Sequence, residues 1–245
     1  MSDVARPDGP LLVLAATAGE LTDVRRDLTD AEPAGLPGWA DAWRGRLEGR
    51  PVVLAATGVG KAAAAAAAAA FALREGPSAC IVTGIAGAYA GAFVPVGAAV
   101  CAASEIDLDA GVATGGDVAP VHEPQLARAS AARDGAALFE RVGTDRLWTA
   151  RLEEACGIVA QVFATSDAAS GDLDVAAERA DRSGAAIESM EGAAVALTCA
   201  RLGVPFAEVR GVSNVAGVRD KGAWQIGTAR SAAARALRRA VAAAP

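Results

Sequence analysis

The sequence predicts an α/β domain: a central, mixed but mostly parallel sheet flanked by helices. Three observations carry this. Short apolar runs recur along the chain with helix-forming stretches between them, the order that builds a parallel sheet. The runs at 11–16 and 79–83 are apolar almost throughout rather than alternating, as in strands covered on both faces. The chain has 245 residues, 53% hydrophobic and 21% charged. That composition and length suit one well-buried domain and exclude a disordered chain. No repeat or linker divides it, so residues 11–245 are expected to form a single domain. Residues 1–10 are polar, with Pro and Gly, and are expected to form a short flexible tail without a signal peptide's apolar core.

In order, Leu11–Ala16 reads as a buried strand and Glu20–Leu28 as an amphipathic helix. Ala31–Gly38 is a Pro/Gly loop. Trp39–Leu47 and Pro51–Ala56 flank Glu48-Gly49-Arg50 as a hairpin, with Trp39 and Trp43 serving packing or an interface. Lys61–Arg74 is built of strong helix formers. Ala79–Thr83 and Val94–Ala103 are strands, Pro95 marking the start of the second. Gly111–Arg128 is polar and Gly-rich, so a long loop is expected, holding a surface His122. Helices follow at Leu126–Phe139 and Thr144–Cys156, then a strand at Gly157–Ala164, a loop at Thr165–Gly171 and a helix at Leu173–Arg182. A short strand, Ala185–Glu188, leads into a helix over Met190–Leu202, which Gly203 and Pro205 end. Phe206–Val212 is the last strand. Trp224–Ala243 is the last helix, with a basic final turn that suits its dipole.

Composition narrows function. A net charge of −6 argues against a general nucleic-acid binder and against docking on anionic lipid. The alanine tract at Ala62–Ala70 is too short and too weakly apolar to cross a bilayer. Cys80, Cys101, Cys156 and Cys199 are far apart in apolar surroundings, with no CxxC and one histidine. They read as four buried small hydrophobes of a cytoplasmic protein, not as a zinc site.

Five short motifs stand at expected strand ends, where α/β sheets bind ligands. Thr57-Gly58-Val59-Gly60-Lys61-Ala62 follows a strand and opens a helix. It lacks the Walker spacing and matches the dinucleotide fingerprint only loosely, so it offers either backbone N–H groups to an anion or a tight packing turn. Thr83-Gly84-Ile85-Ala86-Gly87 allows close approach of a ligand or of another element. In Thr17-Ala18-Gly19-Glu20, Glu20 is a general base on water or a helix-start charge. In Ser189-Met190-Glu191-Gly192-Ala193-Ala194, the Glu191 carboxylate suits two neighbouring hydroxyls, as on a ribose, or serves the helix start. In Arg210-Gly211-Val212-Ser213-Asn214, the Asn214 amide both donates and accepts, which suits the edge of a base.

Taken together and in this order, the motifs resemble the nucleoside phosphorylase and nucleosidase superfamily over about Leu11 to Ala240. Met190-Glu191-Gly192-Ala193-Ala194, Ser213-Asn214, and Arg219-Asp220 with Trp224 shortly after most resemble its futalosine hydrolase family. The resemblance implies a nucleoside phosphorylase-like fold and hydrolysis of futalosine to hypoxanthine and dehypoxanthine futalosine in the alternative menaquinone pathway. It implies no metal or organic cofactor, a small-molecule nucleoside as partner, and a homo-oligomer, a dimer or higher. Other purine nucleosidases or phosphorylases, acting on inosine or 5′-methylthioadenosine, and a binding module without turnover are the alternatives.

The resemblance also implies roles. Glu191 holds the ribose hydroxyls, with Met190 beneath the sugar; Ser189 also binds substrate, and Gly84 and Gly87 let the backbone approach it closely. Glu20 aligns and deprotonates water, and its negative charge disfavours phosphate as nucleophile. The adenine-specific nucleosidases carry an aspartate where this chain has Asn214. An amide donates to a 6-oxo group and accepts from a protonated N7, which suits hypoxanthine; each polar mismatch costs about 1–3 kcal/mol. The substrate's benzoate-bearing group calls for a cation. Arg219 answers to that, or else pairs with Asp220. Where related enzymes place an aromatic over the base this chain reads Ala168-Ala169, which leaves backbone or Phe163. Trp224 lines the pocket or caps the last helix.

Overall fold

The computed structural model describes residues 4–114 and 117–244. In chain order the strands are β1 (Leu11–Ala15), β2 (Thr29–Pro33), β3 (Ala42–Leu47), β4 (Arg50–Ala56), β5 (Ala79–Ala88), β6 (Ala99–Asp107), β7 (Val112–Thr114), β8 (Asp117–Ala119), β9 (Ala129–Ser130), β10 (Ala137–Leu138), β11 (Arg141–Gly143), β12 (Gln161–Thr165), β13 (Ile187–Ser189) and β14 (Phe206–Val215). The helices are α1 (Thr22–Arg26), α2 (Lys61–Glu75), α3 (Arg146–Cys156), α4 (Leu173–Ser183), α5 (Gly192–Leu202) and α6 (Ile226–Ala242). Short 3₁₀ turns stand at Pro124–Leu126 and Lys221–Ala223.

Ten strands form one mixed sheet in the order β11-β6-β12-β13-β5-β1-β4-β3-β2, with β14 bonded to both β5 and β6. The pairs β1–β4, β1–β5, β5–β14, β6–β12 and β12–β13 are parallel. The antiparallel pairs β5–β13 and β6–β14 close β5, β14, β6, β12 and β13 into a ring. That ring curls the sheet around one end of β5. Helices cover both faces. Leu11 and Val13 of β1 pack in one cluster with Val24, Trp148 and Leu237. Leu12 and Leu14 pack in the other with Ala64, Phe71 and Val195. A central strand buried on both sides needs this doubly apolar β1. The alanines of α2 let it lie close to the sheet, and Gly76, at φ 58°, ends it in the left-handed conformation.

Several expectations shift. The predicted helix at Leu126–Phe139 is a small hairpin: Arg128 N–H donates to Leu138 O and Ala131 N–H to Ala136 O. Its alanines favour helix, but Asp134-Gly135 overrides them. The Asp134 carboxylate accepts from Ala136 N–H and Gly135 takes φ 70°. The expected loop at Gly111–Arg128 contains the β7–β8 hairpin and a 3₁₀ turn; its residues 115–116 lie outside the described residues. His122 there is exposed and faces Glu140. The strand expected from Val94 starts at Ala99, because Pro95 to Ala98 make a turn through Gly97 at φ 90°, and it runs on through buried Glu105 and Asp107. The Ala31–Gly38 loop begins inside β2, an exposed edge strand. Glu48 and Gly49 both take positive φ, the turn that suits the β3–β4 hairpin. Trp39 packs edge-on to Phe71, and Trp43 lies under Arg25. Cys80, Cys101 and Cys199 are buried and Cys156 is half-buried; all four are free thiols. Of the N-terminal segment, residues 1–3 lie outside the described residues; Val4 N–H donates to Leu202 O.

Candidate active site

The carboxyl ends of β1, β12, β13 and β14 and the second half of β5 surround a cavity of about 480 Å³. That volume suits a small organic ligand. Glu20, Gly87, Ser189, Met190, Glu191, Asn214 and Arg219, all singled out from sequence, line it.

Glu20 stands on the loop after β1. Its Oε2 accepts from the backbone N–H of Thr17 at 3.0 Å and from the Thr17 hydroxyl at 3.0 Å. Its Oε1 accepts from Ile85 N–H on β5 at 3.0 Å. Glu20 N–H in turn donates to the Thr17 hydroxyl at 3.3 Å, so the two residues brace each other across the turn that precedes α1. Gly84 departs from its expected role. It does not face the cavity; it makes room behind it. A Cβ there would stand 2.5 Å from Glu20 Oε1 and 3.0 Å from Arg210 Nη1, and φ is 137°. Gly87 does face the cavity, its missing Cβ 3.4 Å from Asn214 Nδ2.

Glu191 is buried at the start of α5. Its Oε1 accepts from Gly60 N–H at 3.2 Å, and its Oε2 from Arg210 Nη2 at 3.1 Å. The glycine loop at 57–61 therefore gives an N–H to the protein's own carboxylate. Its lysine turns elsewhere: Lys61 Nζ lies 2.7 Å from Asp107 and 2.6 Å from Asp109. Burial opposes a charge on Lys61, yet those two aspartates raise its pKa.

Arg210 is the site residue whose role the sequence reading left open. It is 1% exposed, in the middle of β14. Nε donates to Glu208 at 2.7 Å, Nη2 to Glu191 and Nη1 to Ile85 O at 3.3 Å. Burial disfavours its charge, but Glu208, Glu191 and Glu20 outweigh that and raise its pKa further. The available signal was Glu208-x-Arg210 inside an otherwise apolar strand, which puts two charges on one buried face.

A register shift in β14 between Val212 and Asn214 leaves Ser213 as an extra residue. The bulge turns both Ser213 and Asn214 to the cavity. Ser213 Oγ lies 2.7 Å from Asn214 Oδ1, and Asn214 Nδ2 donates to Val215 O at 2.9 Å. One amide N–H and one carbonyl lone pair remain for a ligand. Ser189 Oγ is buried and has no protein partner.

Glu188, not singled out from sequence, also lines the wall. It accepts from Ser170 N–H at 2.9 Å, Ser170 Oγ at 2.6 Å and Tyr89 OH at 3.2 Å. Burial and the neighbouring Glu188 push the Tyr89 hydroxyl pKa up. Phe163 is fully buried in the core and Ala169 lines the cavity, so Phe163 is not the group over a base. At the mouth, Arg219 lies over Trp224, 5.3 Å from the ring centroid, while Asp220 caps Gly222 N–H. Trp224 lines the cavity and donates Nε1–H to Val218 O. Arg230 of α6 also reaches the wall and pairs with Asp23 at 2.9 Å. Burial works against the Asp23 charge, but Ser231 and Arg230 hold its pKa below the usual range.

Among the described residues no group of His, Cys, Asp and Glu side chains is placed to hold a metal ion, and no helix is long and apolar enough to cross a membrane.

Comparison with known proteins agrees with this geometry. The chain is 41% identical over 201 residues to a futalosine hydrolase of Thermus thermophilus, covering 82% of this chain and 85% of that protein. It is 34% identical over 220 residues to a futalosine hydrolase of Acidothermus cellulolyticus, covering 88% and 83%. Among solved structures, a futalosine hydrolase of Helicobacter pylori superposes with a TM-score of 0.77 at 19% identity, covering 95% of this chain and 97% of that one. A 5′-methylthioadenosine/S-adenosylhomocysteine nucleosidase of Neisseria meningitidis, in complex with methylthio-immucillin-A, superposes with a TM-score of 0.80 at 24% identity, covering 96% and 100%. Residues 10–244 match the phosphorylase superfamily model. A curled mixed sheet, a cavity at its carboxyl ends and this match over nearly the whole length make the chain a member of the phosphorylase superfamily.

Proposed function

We propose that the chain is an N-ribosyl hydrolase that cleaves the N-glycosidic bond of futalosine, releasing hypoxanthine and leaving dehypoxanthine futalosine, in menaquinone biosynthesis. The carrying observation is one cavity walled by Glu20, Glu191 and Asn214, in a chain 41% identical to a futalosine hydrolase.

The geometry supports a role for each. Glu191 is pinned by Gly60 and Arg210 with one acceptor site on each oxygen still unused, which suits the two ribose hydroxyls. Met190 and the unpartnered Ser189 hydroxyl lie beside it. As the bond loosens, positive charge grows on the sugar. Glu20, fixed by Thr17 and Ile85, takes the proton from the attacking water. Its carboxylate would repel phosphate, and Arg210 is already engaged by Glu208, Glu191 and a carbonyl. Water is therefore the nucleophile.

The departing base takes a proton at N7 from solvent water, Glu20 returning to solvent the one it gained, and then presents one donor and, in hypoxanthine, one acceptor at O6. The free N–H and lone pair of Asn214 match that pair. N7-protonated adenine presents two donors, which an amide cannot satisfy. Arg219 at the mouth, stacked on Trp224, is the cation for the benzoate. Assembly as a homo-oligomer in the cytoplasm belongs to the same reading.

The test is base release in phosphate-free buffer from futalosine, inosine and 5′-methylthioadenosine side by side. Hypoxanthine from futalosine alone is expected. Adenine release would overturn the assignment of Asn214, and activity only with added phosphate would overturn that of Glu20.

A further inference from the structure

Behind the cavity lies a second pair of carboxyl groups. Glu105 of β6 and Glu208 of β14 are both fully buried. Both crowd the point where a side chain at Gly192 would begin, next to Glu191. Glu208 Oε1 accepts from Arg210 Nε, and Glu105 Oε2 accepts from the Thr165 hydroxyl at 3.0 Å. That leaves Glu105 Oε1 and Glu208 Oε2 buried with no hydrogen-bond partner. Two acceptors left over in adjacent buried carboxyls become one hydrogen bond if a single proton is supplied.

We propose that Glu105 is a protonated acid that donates to Glu208, and that this acid–carboxylate pair is a positioning device for Arg210 and, through it, Glu191. The charges support this. Ionised, Glu105, Glu208 and Glu191 would set three anions around one buried guanidinium. With Glu105 neutral, Glu208 and Glu191 hold Arg210 from two sides. Burial and the Glu208 charge raise the Glu105 pKa. Burial raises that of Glu208 too, but Arg210 works against the rise, so the proton belongs on Glu105. The other groups facing the pair are the Thr165 hydroxyl of β12 and, towards Glu208, the Cys80 thiol of β5; Glu20 acts on Arg210 from the cavity side. Gly192 is required because any Cβ would fill the space the two carboxyls occupy. Neither Glu105 nor Glu208 lines the cavity.

The folded chain then holds a proton that the unfolded chain releases above the ordinary carboxyl pKa. Stability contributed by the bound proton is complete below that pKa and is lost as pH rises above it. Glu105→Gln keeps a donor towards Glu208 and an acceptor towards Thr165 without the proton.

The test measures Tm against pH for the wild type and Glu105→Gln, with kcat for both and for Glu208→Gln. The variant is expected to have the higher Tm at pH 8, with the gap closing near pH 4. Its kcat should stay within about threefold, while Glu208→Gln, which removes the anion from Arg210, should lose about 30-fold or more. A gap that does not change with pH, or a Glu105→Gln as damaged as Glu208→Gln, would overturn the proposal. Should Glu105→Gln not fold, infrared spectra of the wild type decide: a protonated buried carboxyl band at pH 7 is expected, and its absence refutes the pair. The kinetic readout rests on the hydrolase reading, but the Tm and infrared readouts do not. A wild type without turnover would fail that reading alone.

Discussion

Two carboxylates line the cavity, and the chain holds them in opposite ways. Glu20 is half-buried and takes two of its three hydrogen bonds from Thr17, three residues away. Glu191, at the start of α5, is 5% exposed, and neither protein donor is local: Gly60 is 131 positions away and Arg210, on β14, is 19 away. A locally held carboxylate keeps access to water and to a proton acceptor's work. A remotely held one is buried, which suits the anchor for a sugar proposed for Glu191. The difference teaches that a local turn can hold a carboxylate open to the cavity, while a buried one needs partners from distant parts of the chain.

Removing each side should separate these properties. The largest effect is expected at Glu20→Gln, which removes the proposed base without leaving a buried charge. kcat should fall by about 10²–10⁴-fold, with Tm shifted little, as single-turnover assays and thermal melts would check. Arg210→Met should do the reverse in kind. It leaves Glu208 and Glu191 without their cation, costing about 3–5 kcal/mol in denaturant titration. A mild loss there would break the contrast.

Asn214→Asp sharpens it for the base. Its carboxylate accepts two donors, so preference should move from hypoxanthine towards adenine nucleosides by about 10–100-fold in kcat/KM, from about 1–3 kcal/mol per mismatch. The smallest effect is expected at Thr17→Val. The backbone N–H of Thr17 still reaches Glu20, so losing the hydroxyl bond should cost about 0.5–1.5 kcal/mol, a few-fold in kcat. A loss as large as that of Glu20→Gln would mean that the hydroxyl, not the backbone N–H, holds Glu20 in place.

Much of this was legible in the residues. β1, the hairpin of β3 and β4, α2, α5 and α6 follow from apolar runs, a Glu-Gly turn and glycine caps, which are local signals. Helix and strand propensities are local too, and they misled at 126–139, where a single Asp-Gly turn outweighs a run of alanines. The amino-acid sequence alone also determined which chemical groups stand at the strand ends: two carboxylates, an amide and small residues beside them.

Only the tertiary structure decided how those groups are held. The ring closed by β13 and β14 brings residues more than a hundred positions apart into hydrogen-bond distance, and pairing at that range leaves no trace in any short window. The bulge at Ser213 aims Asn214 through backbone register, which no single residue type encodes. Gly84 yields its space to Glu20 and Arg210 rather than to a ligand, a distinction that depends on what packs behind it. Glu105 and Glu208, 103 positions apart, become one unit only when β6 and β14 meet, because burial turns two ordinary acids into a pair that needs one proton.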